Sequence, residues 1–149
     1  MRLLTSTDVG VNALIYMAAV LPREVVQQSE IQECFGIVQS ALKRPFRLLG
    51  DAEIITTRMG RSGGHSWLRD PATVSLREVI ELLEADFEIA PILAIDEQHK
   101  PRHPKATLSF VYERSRTAFL KELERFNFAE IAGDPYTLEA LGIEIPKVK

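Results

Sequence analysis

One stretch of the sequence combines the residue types that bind phosphate. Residues 58–68, RMGRSGGHSWL, place three glycines among two arginines and two serines. Exposed backbone N–H groups and arginine guanidinium groups both donate hydrogen bonds to phosphate oxygens. The stretch is therefore typical either of a nucleotide-binding loop in an enzyme or of a hairpin tip that touches a nucleic-acid backbone.

The elements on either side of the glycines distinguish these two interpretations. A phosphate-binding loop lies between a strand and the N-terminus of a helix. Here residues 53–59, EIITTRM, predict a strand, and residues 65–69, HSWLR, predict the strand that returns. The glycines would then form the tip of a β-hairpin, because glycine adopts positive φ without cost. The predicted backbone contacts are Arg58, Arg61, Ser62 and the amides of Gly63 and Gly64, and a solvated turn is the alternative.

Three further side chains could sense or bind something other than DNA. His99 and His103 have the spacing of metal ligands on a helix, but Pro101 between them disfavours a regular helix. A metal ion there is a minor possibility, and no cofactor is expected. Cys34 could be a redox-sensing thiol, although no cationic neighbour in sequence indicates a lowered pKa, which favours an unreactive cysteine. No nucleophile lies at a recognisable spacing from a histidine, so an enzyme is not predicted.

The elements before the hairpin predict a helix-turn-helix. Residues 8–21 have helical apolar spacing, with Ser6 or Thr7 as the cap and Asp8 in the first turn. A short helix over residues 29–35 ends at Gly36, and a third helical segment follows within a few residues. Two short helices joined by a tight glycine-containing turn form the outline of this motif.

The third segment, VQSALKRPFRLLGDA, carries the residues that could read DNA. Its candidates for base and phosphate contacts are Gln39, Ser40, Lys43, Arg44 and Arg47. An ordinary solvated helix face is the alternative. Pro45 conflicts with an uninterrupted helix, because proline removes a backbone hydrogen bond and clashes with the preceding turn. Either the helix begins late, with Pro45 in its first turn behind a cap at Ser40, or it is kinked.

Beyond the hairpin the sequence predicts two helices separated by a loop. Residues 75–85 form a helix that opens with a Ser75 and Glu78 capping box. Residues 86–105 contain three prolines and predict a loop. Residues 106–126 form a long amphipathic helix, and a partner subunit is the simplest way to cover its apolar stripe. That stripe, the predicted dimer interface, comprises Leu108, Val111, Tyr112, Ser115, Phe119, Leu120 and Leu123.

Composition limits the class of protein. The chain has 149 residues, a formal net charge of −3 and a single cysteine, which excludes an internal disulfide framework. The N-terminus lacks a signal peptide, and the most apolar segment is too short to span a bilayer, so a cytoplasmic protein is expected. Net charge alone does not indicate nucleic-acid binding, but the basic residues between positions 38 and 69 outnumber the acidic ones.

With these elements in place, the chain resembles the bacterial winged-helix regulators of the Rrf2 family. The resemblance rests on MRLLTSTDVGVNALIYMA at the start, SEIQECFGI, RMGRSGGHSWLRDPATVSLREVIELLE and FNFAEIAG. The glycine-rich hairpin followed by the capped helix is its most specific part. The family fold is mainly α with a small β-hairpin wing, a winged helix-turn-helix domain followed by a long dimerisation helix.

The resemblance implies a homodimeric transcription regulator, in the first instance a repressor, on a palindromic operator. The helix after the GI turn would enter the major groove and the wing would reach the neighbouring minor groove. Arg2 and Thr5 are added to the predicted DNA contacts. The implied division is residues 1–85 as the DNA-binding domain, 86–105 as an effector loop, 106–126 as the dimerisation helix and 127–149 as a tail.

The effector loop departs from the cluster-binding members of the family. Those members carry three cysteines in the region that matches residues 86–105, and this chain has none there. An iron–sulfur cluster held by such ligands is therefore not expected. Two alternatives to a sequence-specific regulator stay open, namely a winged-helix protein-interaction module and a cluster-free small-molecule or redox sensor with weakened DNA reading.

Overall fold

The computed structural model of the protein describes residues 3–60, 63–84 and 105–144. In chain order these form α1 (Thr5–Ala19), α2 (Gln28–Phe35), α3 (Gln39–Asp51), β1 (Ile55–Arg58), β2 (Gly64–Trp67), a 3₁₀ turn (Pro71–Thr73), α4 (Leu76–Leu83), α5 (Lys105–Leu123), α6 (Phe128–Gly133) and α7 (Pro135–Ala140). This order confirms the predicted mainly α fold with a hairpin wing. Arg2, Arg61, Ser62, His99 and His103 lie outside the described residues.

The start of α1 differs from the sequence prediction. The helix begins at Thr5, its N-cap is Leu4, and no side chain caps it locally. Thr7, predicted as a cap together with Ser6, lies inside the helix and is fully buried, so that assignment was wrong. The Leu4 N–H donates instead to the Glu84 carboxylate at 2.7 Å. A distant carboxylate thus satisfies one of the N–H groups that every helix start leaves unpaired.

α1 is the central helix of the core. It packs against α3, α4 and α6. Ala13, Leu14 and Met17 of α1 are almost completely buried, and they belong to one cluster with Leu42 of α3 and Val79 of α4. The helix-turn-helix is therefore held from behind by a helix on which the rest of the domain is assembled.

α3 is one continuous helix from Gln39 to Asp51, with Pro45 inside it. The alternative in which the helix starts late behind a cap at Ser40 is wrong, because the N-cap is Val38. Pro45 is buried against Gly10 of α1, where an added Cβ would lie 2.9 Å from the Pro45 Cβ. Close packing of the ring on a residue without a side chain offsets the backbone hydrogen bond that proline cannot make.

The wing is a two-stranded antiparallel sheet in which Ile55 pairs with Trp67 and Arg58 with Gly64. Val26, in the segment before α2, adds a bridge to His65 through backbone hydrogen bonds of 2.9 and 2.8 Å. A Cβ on Gly64 would lie 2.5 Å from the Val26 carbonyl oxygen, which makes glycine necessary there. The hairpin prediction is confirmed. The predicted positive φ is found at Gly60, whose φ is 110°. Gly64 is explained instead by the close approach of the Val26 backbone.

The chain after α5 folds back onto the N-terminal domain. Phe128 of α6 is fully buried, and its ring centroid lies 5.6 Å from that of Trp67 in the wing. The Asn127 side chain accepts a hydrogen bond from the Glu130 N–H and caps α6. Residues 128–140 thus form two packed helices within the stretch that the sequence predicted only as a tail. No described helix is both long and apolar enough to cross a membrane.

Candidate nucleic-acid interface

The outward face of α3 is polar along its whole length. Gln39, Lys43 and Arg47 follow one another at intervals of one helical turn, with Ser40 beside them, and all four are exposed. The opposite face is buried in the core. Since an α-helix fits the major groove of B-DNA, this face has the shape and the donors that base reading requires.

Two cations on this face are available for a partner. Lys43 has no hydrogen bond or ion pair among the described residues. Arg47 pairs with Asp51 at 3.0 Å, but both side chains remain about two-thirds exposed, at 66% and 65%. An exposed pair of this kind contributes little stability, so Arg47 can exchange its carboxylate for a phosphate at small cost.

Two other cations of the region, Arg44 and Arg69, are bound by groups of the protein itself. The Arg44 guanidinium donates from Nη1 to the Ser6 hydroxyl at 3.1 Å and to the Leu83 carbonyl at 3.0 Å. Arg69 pairs with Glu78 and also donates to the Thr73 carbonyl. The positive charge that faces solvent is therefore smaller than the count of basic residues between positions 38 and 69 indicates.

The wing presents one free cation among its described residues. The Arg58 side chain is exposed at the end of β1 and makes no hydrogen bond or ion pair with another described residue, although its backbone pairs with Gly64. Met59 beside it is 93% exposed. The Gly63 N–H, predicted to face phosphate, donates instead to the Gly60 carbonyl at 3.0 Å and closes the turn.

A groove of about 410 Å³ joins the wing to the helix-turn-helix. One wall comes from α2 and the start of α3, and the other comes from the wing. Its lining is almost entirely uncharged and polar, with Arg58 as its charged member. The lining residues are Gln27, Gln28, Ser29, Gln32, Gln39, Thr57, Arg58, Met59, Gly60, Gly63, Gly64 and His65. The α3 face and the wing thus form one continuous surface. Thr5, also predicted as a contact, is exposed at the start of α1.

His65 links α3 and the wing from inside, a role that sequence reasoning did not assign to it. Its Nδ1 lies 3.0 Å from the Thr57 hydroxyl, and its ring meets the edge of Phe46 of α3 at a centroid distance of 4.3 Å. Burial lowers the pKa of His65, because the charged imidazolium would lose its hydration. The neutral ring therefore packs the wing against α3.

Of the predicted sensing residues, the structure describes Cys34 alone. Cys34 is exposed on α2, and desolvation raises the pKa of its thiol, which disfavours the reactive thiolate. His99 and His103 lie outside the described residues. Among residues 3–60, 63–84 and 105–144, no group of three His, Cys, Asp or Glu side chains could hold a metal ion. A cluster ligated by several cysteines of one chain does not fit a sequence with one cysteine.

The continuous helix-turn-helix, the hairpin beside it and the polar surface they share define a class of protein, the winged helix-turn-helix transcription regulators. The sequence profile of the Rrf2 family, described as an iron-dependent transcriptional regulator, matches residues 3–134. The chain therefore belongs to the Rrf2 family, as the resemblance of its motifs indicated.

Individual relatives agree with this assignment. The HTH-type transcriptional regulator NsrR of Oceanobacillus iheyensis is 28% identical over 145 residues, which cover 97% of this chain and 99% of that protein. NsrR of Bacillus subtilis is 27% identical over 131 residues, with 88% and 90% covered. The structure of oxidized CymR from Staphylococcus aureus superposes with a TM-score of 0.69 at 20% identity, covering 89% of this chain and 96% of that one. IscR of T. potens gives 0.69 at 17% identity, with 100% and 93% covered.

Proposed function

We propose that this protein is a homodimeric repressor that binds a palindromic DNA site without a cysteine-held iron–sulfur cluster. In each protomer, α3 enters the major groove and the wing lies against the adjacent backbone. The observation that carries the proposal is the polar surface that runs along α3 from Arg47 and Lys43 to Gln39 and continues across the groove to Arg58. The side chains of Lys43 and Arg58 have no partner among the described residues.

The exposed part of α5 supports a homodimer. Leu108, Val111 and Tyr112 are 46%, 47% and 40% exposed, although they lie on the apolar stripe of the helix. The other end of the predicted stripe is covered within the chain, because Leu120 is buried. A second copy that covers the exposed half would place two winged helices symmetrically, as a palindromic site requires.

Ion pairs between α4 and α5 support a defined angle between the dimer helix and the DNA-binding surface. Arg77 of α4 pairs with Glu81 at 2.8 Å and with Glu124, just beyond α5, at 2.9 Å. Arg116 of α5 approaches Glu81 at 3.8 Å. A fixed angle matters, because half-site spacing on DNA is set by the geometry between the two protomers.

The free cations determine the expected salt dependence. Each phosphate contact contributes about −0.9 to the slope of log affinity against log salt concentration on duplex DNA. A dimer that uses Lys43, Arg47 and Arg58 in each protomer should therefore show a slope of about −5. Arg61, outside the described residues, would steepen this slope by about 2 for the dimer.

A selection experiment tests the proposal directly. The full-length protein selects duplexes from a random-sequence pool, and mobility shifts then compare the selected site with its scrambled counterpart across a salt series. We expect a palindromic consensus, at least about 1,000-fold preference over the scrambled site, and repression when that site overlaps a promoter in run-off transcription. Equal affinity for all sequences, or no binding, would overturn the regulator and favour a protein-interaction module.

The wing contact is tested with a matched pair of arginine substitutions. Arg58→Ala should flatten the salt slope by about 2 for the dimer, since one phosphate contact is lost in each protomer. Arg125→Ala is the control, because Arg125 is also exposed but follows α5 and pairs with Glu122 of that helix. An unchanged slope in Arg58→Ala would show that the wing does not touch the DNA backbone.

A further inference from the structure

Arg44 lies on α3 directly after Lys43, yet its guanidinium is directed into the protein. We infer that Arg44 is a positioning residue, which orients α3 for base reading by fastening it to α1 and α4 and does not itself contact DNA. The inference rests on the proposed function, because it concerns how the same surface recognises its operator.

Arg44 joins three helices through one nitrogen. Nη1 carries two hydrogens, and the geometry gives one to the Ser6 hydroxyl in the first turn of α1 and one to the Leu83 carbonyl. Leu83 is the last residue of α4, so its carbonyl has no acceptor role inside that helix. A cation at this position also meets the negative end of the α4 dipole.

The residues around this contact are packed with little room. The Leu83 side chain packs on the same face of α1 one turn further along, where a Cβ on Gly10 would lie 2.7 Å from its Cδ1. The Pro45 ring occupies the same notch at 2.9 Å. The neighbouring Glu84 carboxylate holds the Leu4 N–H at 2.7 Å. Leu83 is thus held both by its carbonyl and by its side chain.

Apolar packing on α1 restricts how far α3 can slide, but such contacts are not directional and define its rotation less sharply than hydrogen bonds do. Hydrogen bonds from a planar guanidinium are directional, so the bonds to Leu83 and Ser6 fix the rotation of α3 about its own axis. Base recognition depends on geometry held within about half an ångström. Releasing Arg44 should therefore weaken discrimination between sites more than it weakens general attraction to DNA.

Four single variants, with Arg44→Lys as the fourth, and the double variant Arg44→Gln/Ser6→Ala separate positioning from direct contact. Arg44→Gln removes both hydrogen bonds and the charge, Ser6→Ala removes one acceptor without touching any charge, and Lys43→Gln removes the adjacent exposed charge. Each is measured for its affinity ratio between the selected and the scrambled site, and for its salt slope.

We expect Arg44→Gln to lower the affinity ratio at least about tenfold, as loss of hydrogen bonds to a charged group implies, while the salt slope stays that of the wild type. Ser6→Ala should reproduce part of this loss, and the double variant should lose no more than Arg44→Gln alone. Lys43→Gln should instead flatten the salt slope by about 2. Arg44→Lys keeps the charge and can still donate one of the two hydrogen bonds, so it should recover part of the affinity ratio that Arg44→Gln loses.

Two results would overturn the inference. A salt slope flattened in Arg44→Gln as in Lys43→Gln would mean that Arg44 touches phosphate. A lower Tm with an unchanged affinity ratio would mean that Arg44 only stabilises the fold. If Arg44→Gln does not fold at the assay temperature, Ser6→Ala and Arg44→Lys decide between the same outcomes. A wild-type protein that fails to discriminate between sites would instead remove the proposed function itself.

Discussion

The basic residues of α3 and the wing fall into two groups that the sequence cannot tell apart. Some face solvent, and others bind groups elsewhere in the protein. Lys43 and Arg44 are adjacent and both cationic, yet Lys43 faces solvent and Arg44 binds groups 38 and 39 residues away in the chain. The predicted set of DNA contacts treated them alike. Local sequence carries no signal for this difference, because the partners of Arg44 are brought to it only by tertiary packing.

The protonation of one residue, His65, predicts how the stability of the fold depends on pH. Burial lowers the pKa of His65 in the folded protein below the ordinary histidine value of about 6.5. As pH falls through about 6.5, the unfolded chain therefore takes up this proton before the folded chain does, and the folded state loses stability. Neutral His65 makes its full contribution above that pH and loses it progressively below.

Urea unfolding of the wild type and of His65→Gln at pH 7.5 and pH 5.5 measures this effect. The variant should be less stable by about 1 kcal/mol at pH 7.5, and the difference between the two proteins should shrink at pH 5.5. Carboxylates and the other histidines titrate in both proteins and cancel in the comparison. A difference that is the same at both pH values would contradict the assigned role of His65.

At the scale of elements, the crossing of α1 over α3 explains both Gly10 and Pro45. Glycine inside a helix and proline inside a helix are each unfavourable in isolation. Here each permits the other, because the ring of Pro45 enters the space that a side chain at position 10 would occupy. In the sequence, Pro45 conflicts with an uninterrupted α3. The structure shows that its ring is part of the contact between α1 and α3, referred to below as the seam.

Two glycine substitutions test the crossing. Gly50 is exposed near the end of α3, and nothing lies within 4 Å of a Cβ added there. Gly50→Ala should therefore stabilise the protein by up to about 1 kcal/mol through helix propensity. Gly10→Ala gains the same propensity but overpacks the seam, which costs about 1–3 kcal/mol, so it should be neutral or destabilising. Chemical denaturation measures both changes. Equal stabilisation by the two variants would show that the seam has room for a side chain.

The wing has one feature that local sequence patterns predict and another that they do not. A run of isoleucine and threonine together with clustered glycines predicted the hairpin, because turn and strand preferences act over a few residues. The bridge from Val26 to His65 was not predictable, since a single extended residue before α2 has no periodicity of its own. That bridge explains why glycine stands at position 64, and it ties the wing to the helix-turn-helix.

At the scale of the whole molecule, the proposed dimer depends on the exposed half of α5. Val111→Glu places a charge in the proposed interface, whereas Thr117→Glu places the same charge on the opposite, exposed face of the helix. Because Val111 is 47% exposed in the single chain, its substitution should leave the fold intact. We expect Val111→Glu to raise the dimer dissociation constant at least about tenfold, with little effect from Thr117→Glu.

Sedimentation equilibrium measures the dissociation constants, and circular dichroism checks the fold of both variants. A Val111→Glu protein that stays as dimeric as the wild type would show that another surface joins the protomers. Loss of the dimer should also weaken binding to the selected palindrome, because each protomer would then bind its half-site alone.

The sequence by itself determined the order of the elements, the hairpin, the capped α4 helix and the family, since these depend on propensities and motifs within short windows. Its single cysteine also cannot supply several cysteine ligands to a cluster from one chain, because composition alone decides that. The tertiary structure alone decided which cations face solvent, what caps α1, why Pro45 is tolerated and where Phe128 lies. Each of those depends on partners far apart in the chain, and only the packed core brings Leu4 to Glu84, Gly10 to Pro45 and Arg44 to Leu83.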